Sequence, residues 1–257
     1  MFVAREYPTT IAECFQTPVE GALYAELIDR LRAQGAIRPA VVDTSALVHT
    51  AWDLGSPLNT VVTYFQIIGA EIRVIDCDSD LDLTPVQRVA YMLNKGYLFG
   101  SHFLPHDALA TQKSGKTFLN ELNEVGLRNC KAVPRTHDIW VGINRLRQIL
   151  PRFSFRVPAC ERLIEALSNY HTVRASSTGL ALDEPVHDWA SHFSDSCRLV
   201  AEAEAAGMLH SAGSTANVHR RPVTVRAGFR GDNFQEEPED ILDRFFGSPR
   251  RRVRVIR

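Results

Sequence analysis

Three side chains near residue 190 have the types and spacing that chemistry can use. In the run His187-Asp188-Trp189-Ala190-Ser191-His192-Phe193-Ser194-Asp195-Ser196-Cys197-Arg198-Leu199-Val200, Asp188, His192 and Asp195 stand four and three residues apart. On a helix that spacing puts all three on one side. Carboxylates gathered this way suit a hard divalent cation such as magnesium, which takes oxygen ligands and keeps some of its water. An imidazole beside them can hold or move a proton. A plainer role fits the same row: acidic charge complementing a helix N-terminus, with a surface histidine next to it. A catalytic role therefore requires further carboxylates from upstream that converge on this helix.

The segment predicts a helix running towards His210, because Val200 to Met208 is rich in Ala, Glu and Leu. Its second face, Trp189, Phe193, Cys197 and Val200, is an apolar stripe fit for a core. Upstream, Thr50 to Gly55 predicts a strand carrying Asp53 and stopped by glycine. Asn59–Ile68 and Glu71–Asp76 predict two more strands, joined at Gly69-Ala70 by a turn with glycine first. Asp76, Asp78, Asp80 and Asp82 then read as a solvated acidic loop, since they lack the glycine and terminal glutamate of a calcium loop. Helices are predicted at Pro85–Lys95, Thr117–Val125, Ile139–Leu150 and Cys160–Tyr170. Strands are predicted at Tyr97–Asp107, Cys130–Val133 and Phe153–Val157, the first of them carrying Asp107. Residues 1–50 read as a lead-in or linker with a helix over Ala22–Gln34, and residues 211–257 as a polar, weakly packed tail. Between them, residues 51–210 form the predicted catalytic domain.

Composition excludes several classes. The chain has 257 residues and a formal net charge of -1, so no global basic field announces nucleic acid and any such contact must be local. Its five cysteines form no CxxC pair, which argues against a zinc ribbon or a disulfide framework and for a reducing compartment. The first residues lack a signal-peptide apolar run, and no stretch approaches the ~20 apolar residues of a membrane span. The expectation is a cytoplasmic protein, neither secreted nor membrane-bound.

Three antiparallel strands, a helix, then alternating strands and helices make a mixed sheet flanked by helices, the ribonuclease H-like α/β arrangement. In that arrangement the first strand, the fourth strand and a late helix bring acidic side chains to one spot. Here those elements carry Asp53, Asp107, and Asp195 with His192. Three motifs, Trp52-Asp53-Leu54-Gly55, Leu104-Pro105-His106-Asp107-Ala108 and the run from His187 to Asp195, together resemble the nuclease domain of tailed-phage and prophage terminase large subunits. Glu6-Tyr7-Pro8, Phe15, Val133-Pro134-Arg135 and Gly142-Ile143-Asn144 add to the likeness, which covers roughly Arg5 to Val200. The resemblance implies a metal-dependent endodeoxyribonuclease that cuts concatemeric double-stranded DNA during packaging into a procapsid. By it, Asp53, Asp107 and Asp195 hold two magnesium or manganese ions, with Asp53 bridging them, and His192 is a further catalytic group. It also implies as partners a terminase small subunit, a portal or procapsid, and an ATPase motor domain that this chain does not carry.

The segment Ala110-Thr111-Gln112-Lys113-Ser114-Gly115-Lys116-Thr117 imitates a phosphate loop. Ala110 stands where the first glycine belongs and no apolar strand leads directly into it, so no nucleotide site is expected. Lys113 and Lys116 are instead candidates for DNA phosphate contacts. Trp52, Trp189 and Phe193 read as core residues. Two alternatives stay open: a DNA-binding or procapsid-docking module that does not cut, and a PIN-like nuclease in which Val41-Val42 form a buried strand presenting Asp43.

Overall fold

The computed structural model describes residues 20–112, 115–172 and 184–209. Lys113, the Glu6-Tyr7-Pro8 and Phe15 motifs and the predicted tail 211–257 lie outside these residues. The centre is a seven-stranded sheet. Its strands are β1 (Ile37–Arg38), β2 (Val48–Asp53), β3 (Val61–Ile68), β4 (Glu71–Asp78), β5 (Phe99–Leu104), β6 (Cys130–Ala132) and β7 (Phe153–Arg156). Across the sheet they run β1-β7-β4-β3-β2-β5-β6. The pairs β2–β3 and β3–β4 are antiparallel, and β2–β5, β5–β6, β4–β7 and β1–β7 are parallel. This is the ribonuclease H-like mixed sheet that the sequence predicts. Gly69, at φ +61°, makes the tight β3–β4 turn that the flanking β-branched residues could not adopt.

Among the described residues six helices flank the sheet: α1 (Ala25–Ala33), α2 (Pro85–Asn94), α3 (Phe118–Glu124), α4 (Ile139–Ile149), α5 (Glu161–Asn169) and α6 (Trp189–Ala205). Strand residues alternate between two faces, and two cores follow. On one face Ala51, Val61, Phe65, Val74 and Phe103 meet α1, α4, α5 and α6. On the other, Val48, Trp52, Val62, Tyr64 and Leu104 meet α2 and α3. Asp53 is two residues beyond Ala51 and therefore projects on the α6 side. Helix starts follow local chemistry. Thr84 and Gln87 form a reciprocal capping box for α2, with Pro85 at its first turn. Asp188 caps α6 by accepting from the Ala190 amide at 2.9 Å.

Several expectations are corrected. Val41 is 87% exposed and lies in no strand, and Asp43 accepts from Ser45 in a turn, so the buried PIN-like strand does not form. The strand expected to reach Asp107 ends at Leu104, because Pro105 has no amide proton to continue the ladder. The acidic stretch after β4 is not all solvated loop. β4 extends through Asp78, which is buried and bonded to Lys95 at 2.7 Å and to the Tyr64 hydroxyl, while Asp76 takes the same ammonium at 2.8 Å. Finally, α1 and β1, within the predicted lead-in, join the main core through Tyr24, Ile28 and Leu31 and through the β1–β7 pairing.

Candidate active site

The site forms where β2 ends beneath α6. Asp53, the last residue of β2, accepts through Oδ2 from Nδ1 of His192 at 2.9 Å. This bond raises the imidazole pKa above its ordinary value. Partial burial opposes it, and the charges of Asp53, Asp195 and Asp188 reinforce it. One turn further along α6, Asp195 is pushed up to about 6. Burial is the main cause, the nearby Asp53 charge adds to it, and Arg198, His192 and His187 act against it. Asp53, His192 and Asp195 are thus brought together as the sequence predicts. His187 lies edge-on to the His192 ring, with centroids 5.3 Å apart, and its Nδ1 is 2.9 Å from the Ser191 hydroxyl.

Behind Asp195 stands a residue that sequence reading missed. Arg198 Nη1 lies 3.0 Å from Asp195 Oδ1, and Nε lies 3.5 Å from Glu202 Oε1. The Asp195 contact is close in charge but poorly aligned, so Oδ1 is buried without a proper hydrogen bond. Arg198 also hydrogen-bonds Tyr170. Gly142 of α4 makes room for this brace. A Cβ there would sit 2.6 Å from Arg198 Cδ and 2.7 Å from Glu202 Oε1. The three-residue spacing of Asp195 and Arg198 on one helix was the available signal.

Asp107 is placed differently. Beyond Pro105 the chain turns into a short 3-10 helix, His106–Leu109, and the Asp107 side chain is 73% exposed, 2.9 Å from Nε2 of His106. Ala51 pairs with Phe103 across β2 and β5. That register sets Asp53 level with Pro105, so Asp107 follows on the same sheet edge but faces His106. Among the described residues no group of three or more His, Cys, Asp and Glu side chains is drawn together as a ready metal cage.

Of the predicted phosphate contacts, Lys116 reaches both oxygens of Glu124 at 2.8 and 2.7 Å. Thr111 and Thr117, at the two ends of its segment, form a bridge, and Thr117 caps α3 by accepting from the Asn120 amide. Trp52 and Phe193 are buried as expected. Trp189 is not: it is 40% exposed, edge-on to Phe193 with centroids 6.0 Å apart, and the Arg162 guanidinium lies over its ring at 5.5 Å. No described helix is long and apolar enough to cross a membrane.

No family model and no curated protein sequence matches the chain. Solved structures do. The large terminase of the thermophilic bacteriophage D6E, in complex with ATP-gamma-S, aligns with a TM-score of 0.54 at 16% identity, covering 70% of this chain and 45% of that one. The nuclease domain of the large terminase of bacteriophage SPP1, with bound Mn, aligns with a TM-score of 0.50 at 12% identity, covering 65% of this chain and 95% of that one. The chain spans less than half the length of the D6E protein. At these identities the likeness is one of fold: the chain is similar to the ribonuclease H-like nuclease domain of phage large terminases.

Proposed function

We propose that the chain is a divalent-metal-dependent endodeoxyribonuclease that hydrolyses concatemeric double-stranded DNA during packaging of a tailed-phage genome in the host cytoplasm. The observation that carries this is the Asp53–His192 bond beside the crowded Asp195 carboxyl, at the end of the central strand of a ribonuclease H-like sheet. The donor chemistry fits a hard cation. Two carboxylates lie near one another there, and the pKa of Asp195 is raised to about 6, so a bound cation would relieve its buried charge. Asp53 and Asp195 would hold magnesium or manganese, with Asp107 joining from the neighbouring strand end by turning away from His106. If two ions bind, Asp53, the last residue of β2, would serve both. Bound metal would polarise the phosphodiester and lower the pKa of water.

The remaining work falls to the chain's own groups. Asp53 fixes the His192 ring through Nδ1, which leaves Nε2 to hold a water or take its proton. Only neutral imidazole can accept, and the His192 pKa is raised, so cutting should strengthen as pH rises past the ordinary histidine value of 6.5. Arg198 holds Asp195 on the site side of α6. A terminase small subunit, a portal or procapsid and a separate ATPase motor are the partners that go with this activity. The exposed Asp107–His106 pairing favours one alternative, a DNA-binding or docking module that does not cut.

Plasmid cleavage separates the two. Supercoiled plasmid should be nicked and linearised with manganese or magnesium, and chelator should stop it. Asp53→Asn should lower the rate by about a hundredfold or more. Folded protein that binds the plasmid but leaves it uncut with either metal would establish the non-cutting module instead.

A further inference from the structure

Beside His192 the surface opens into a hollow of about 250 Å³, lined by Leu58, Asn59, Asp80, Arg162 and Trp189 among others. Two of its walls are apolar and exposed, Leu58 at 52% and Trp189 at 40%. Exposure of a tryptophan is unusual on a helix whose other face is buried, and this ring is held firmly. Phe193 supports its edge and Arg162 lies over it. The Arg162 guanidinium is in turn fixed by Asp80 at 3.0 Å. That ion pair decides what the hollow can accept. With its cation already neutralised, the hollow offers a phosphate little attraction. It offers a neutral flat ring an aromatic face, an aliphatic wall, and the Asn59 amide and Asp80 carboxylate for hydrogen bonds at the ring's edge.

We infer that this hollow receives one unstacked nucleobase of the DNA strand lying at the site, with Trp189 as its stacking face. The inference rests on the proposed nuclease function and deepens it: the substrate engaged is DNA with one base drawn out of the helix, not a fully stacked duplex. Removing a base from the stack costs energy, least at a mismatch. Stacking on Trp189 would return part of that cost. Cutting should therefore favour mismatched or frayed positions over fully paired ones.

The test uses the full chain with chelator present, so that binding is read without cutting. The probe is a duplex oligonucleotide with a fluorescent adenine analogue at a central mismatch. Binding should change the analogue's fluorescence. Trp189→Ala should abolish the change and weaken binding to the mismatched duplex about tenfold, with little effect on a fully paired one. Trp189→Phe should restore both. Leu58→Ser, at an exposed position that threatens no core, should weaken mismatch binding in the same direction. Binding of both duplexes that is unaffected by Trp189→Ala and Leu58→Ser overturns the base seat and leaves the nuclease proposal standing. Absence of any DNA binding by the folded protein overturns the base seat, and the nuclease proposal falls separately if plasmid stays uncut with manganese and magnesium.

Discussion

Asp195 illustrates what the proposed site role would cost in stability. Its folded pKa of about 6 lies above the ordinary 3.8. The folded chain therefore holds the proton more tightly than the unfolded one, and stability falls as pH climbs from about 4 to about 6. At neutral pH the ionised carboxylate destabilises the metal-free protein by an amount on the order of 2 kcal/mol. Asp195→Asn should remove that penalty. Chemical denaturation at neutral pH should show the variant more stable than wild type by roughly 1–3 kcal/mol, with the gap closing near pH 4. A variant less stable at both pH values would mean that Arg198 depends on the Asp195 charge more than Asp195 suffers from burial. Asp107→Asn should leave stability nearly unchanged, because that side chain is mostly in solvent.

At this scale the sequence was informative where periodicity alone decides position. Asp188, His192 and Asp195 fall on one helical side, and the one-turn offset between His192 and Asp195 brings both towards Asp53. It was uninformative where a neighbouring element decides. Arg198 reads as ordinary helix charge until α4 closes over it. Trp189 reads as core because its stripe is apolar, yet it lies at the helix start, where the sheet no longer covers it.

Among elements, β2 and β5 together form the platform under the site, and the pair has its own sensitivity to acid. His49 and His102 lie in these strands, both buried, with pKa values lowered to about 4 and about 3. Burial is the main cause in each. The Ser101 amide donates to His49 Nδ1 at 3.0 Å, and His102 Nδ1 lies 2.8 Å from the Thr50 hydroxyl, which accepts from the Trp52 indole. Folding keeps both rings neutral, so the unfolded chain binds more protons once pH drops below about 6.5. Stability that is full above that value should be lost on acidification, by about 2 kcal/mol per ring near pH 5. Asp78, His192, Asp195 and Glu202, whose pKa values are raised, act in the opposite sense. NMR titration of the two buried rings isolates their part: both should remain neutral at pH 5. Rings protonated at that pH in the folded protein would contradict it.

The α4–α6 contact allows a sharper test. Gly142→Ala replaces the poorest non-proline helix former with the best, but it drives a Cβ into Arg198 and Glu202. It should cost about 1–3 kcal/mol and slow cutting by loosening Asp195. A variant with wild-type melting and wild-type cleavage would show that α4 does not set the position of Arg198.

Element order was readable because β-branched runs, glycine stops and capping residues punctuate this chain clearly. The capping box at Thr84 and the glycine at the β3–β4 turn are examples. Strand β1 was not readable, since two residues carry no periodicity and only β7 makes them a strand. The end of β5 was also misplaced. Pro105 stops the ladder, and the turn that follows carries Asp107 towards His106.

For the whole molecule, a near-neutral chain would bind DNA through local features, and Lys116 offers less than its charge suggests because Glu124 holds it. In the proposed function, affinity for the backbone would rest on the acidic site and a bound cation. The central claim is that Asp53, Asp107 and Asp195 act as one cation site, although the structure presents Asp107 turned to its own neighbour. Calorimetric titration of the metal-free protein with manganese tests this most directly, for wild type and for Asp53→Asn, Asp107→Asn and Asp195→Asn. The account predicts saturable binding by wild type and a loss of affinity of about tenfold or more in each variant, since each removes one oxygen ligand. Unchanged affinity in any one of the three variants would contradict it.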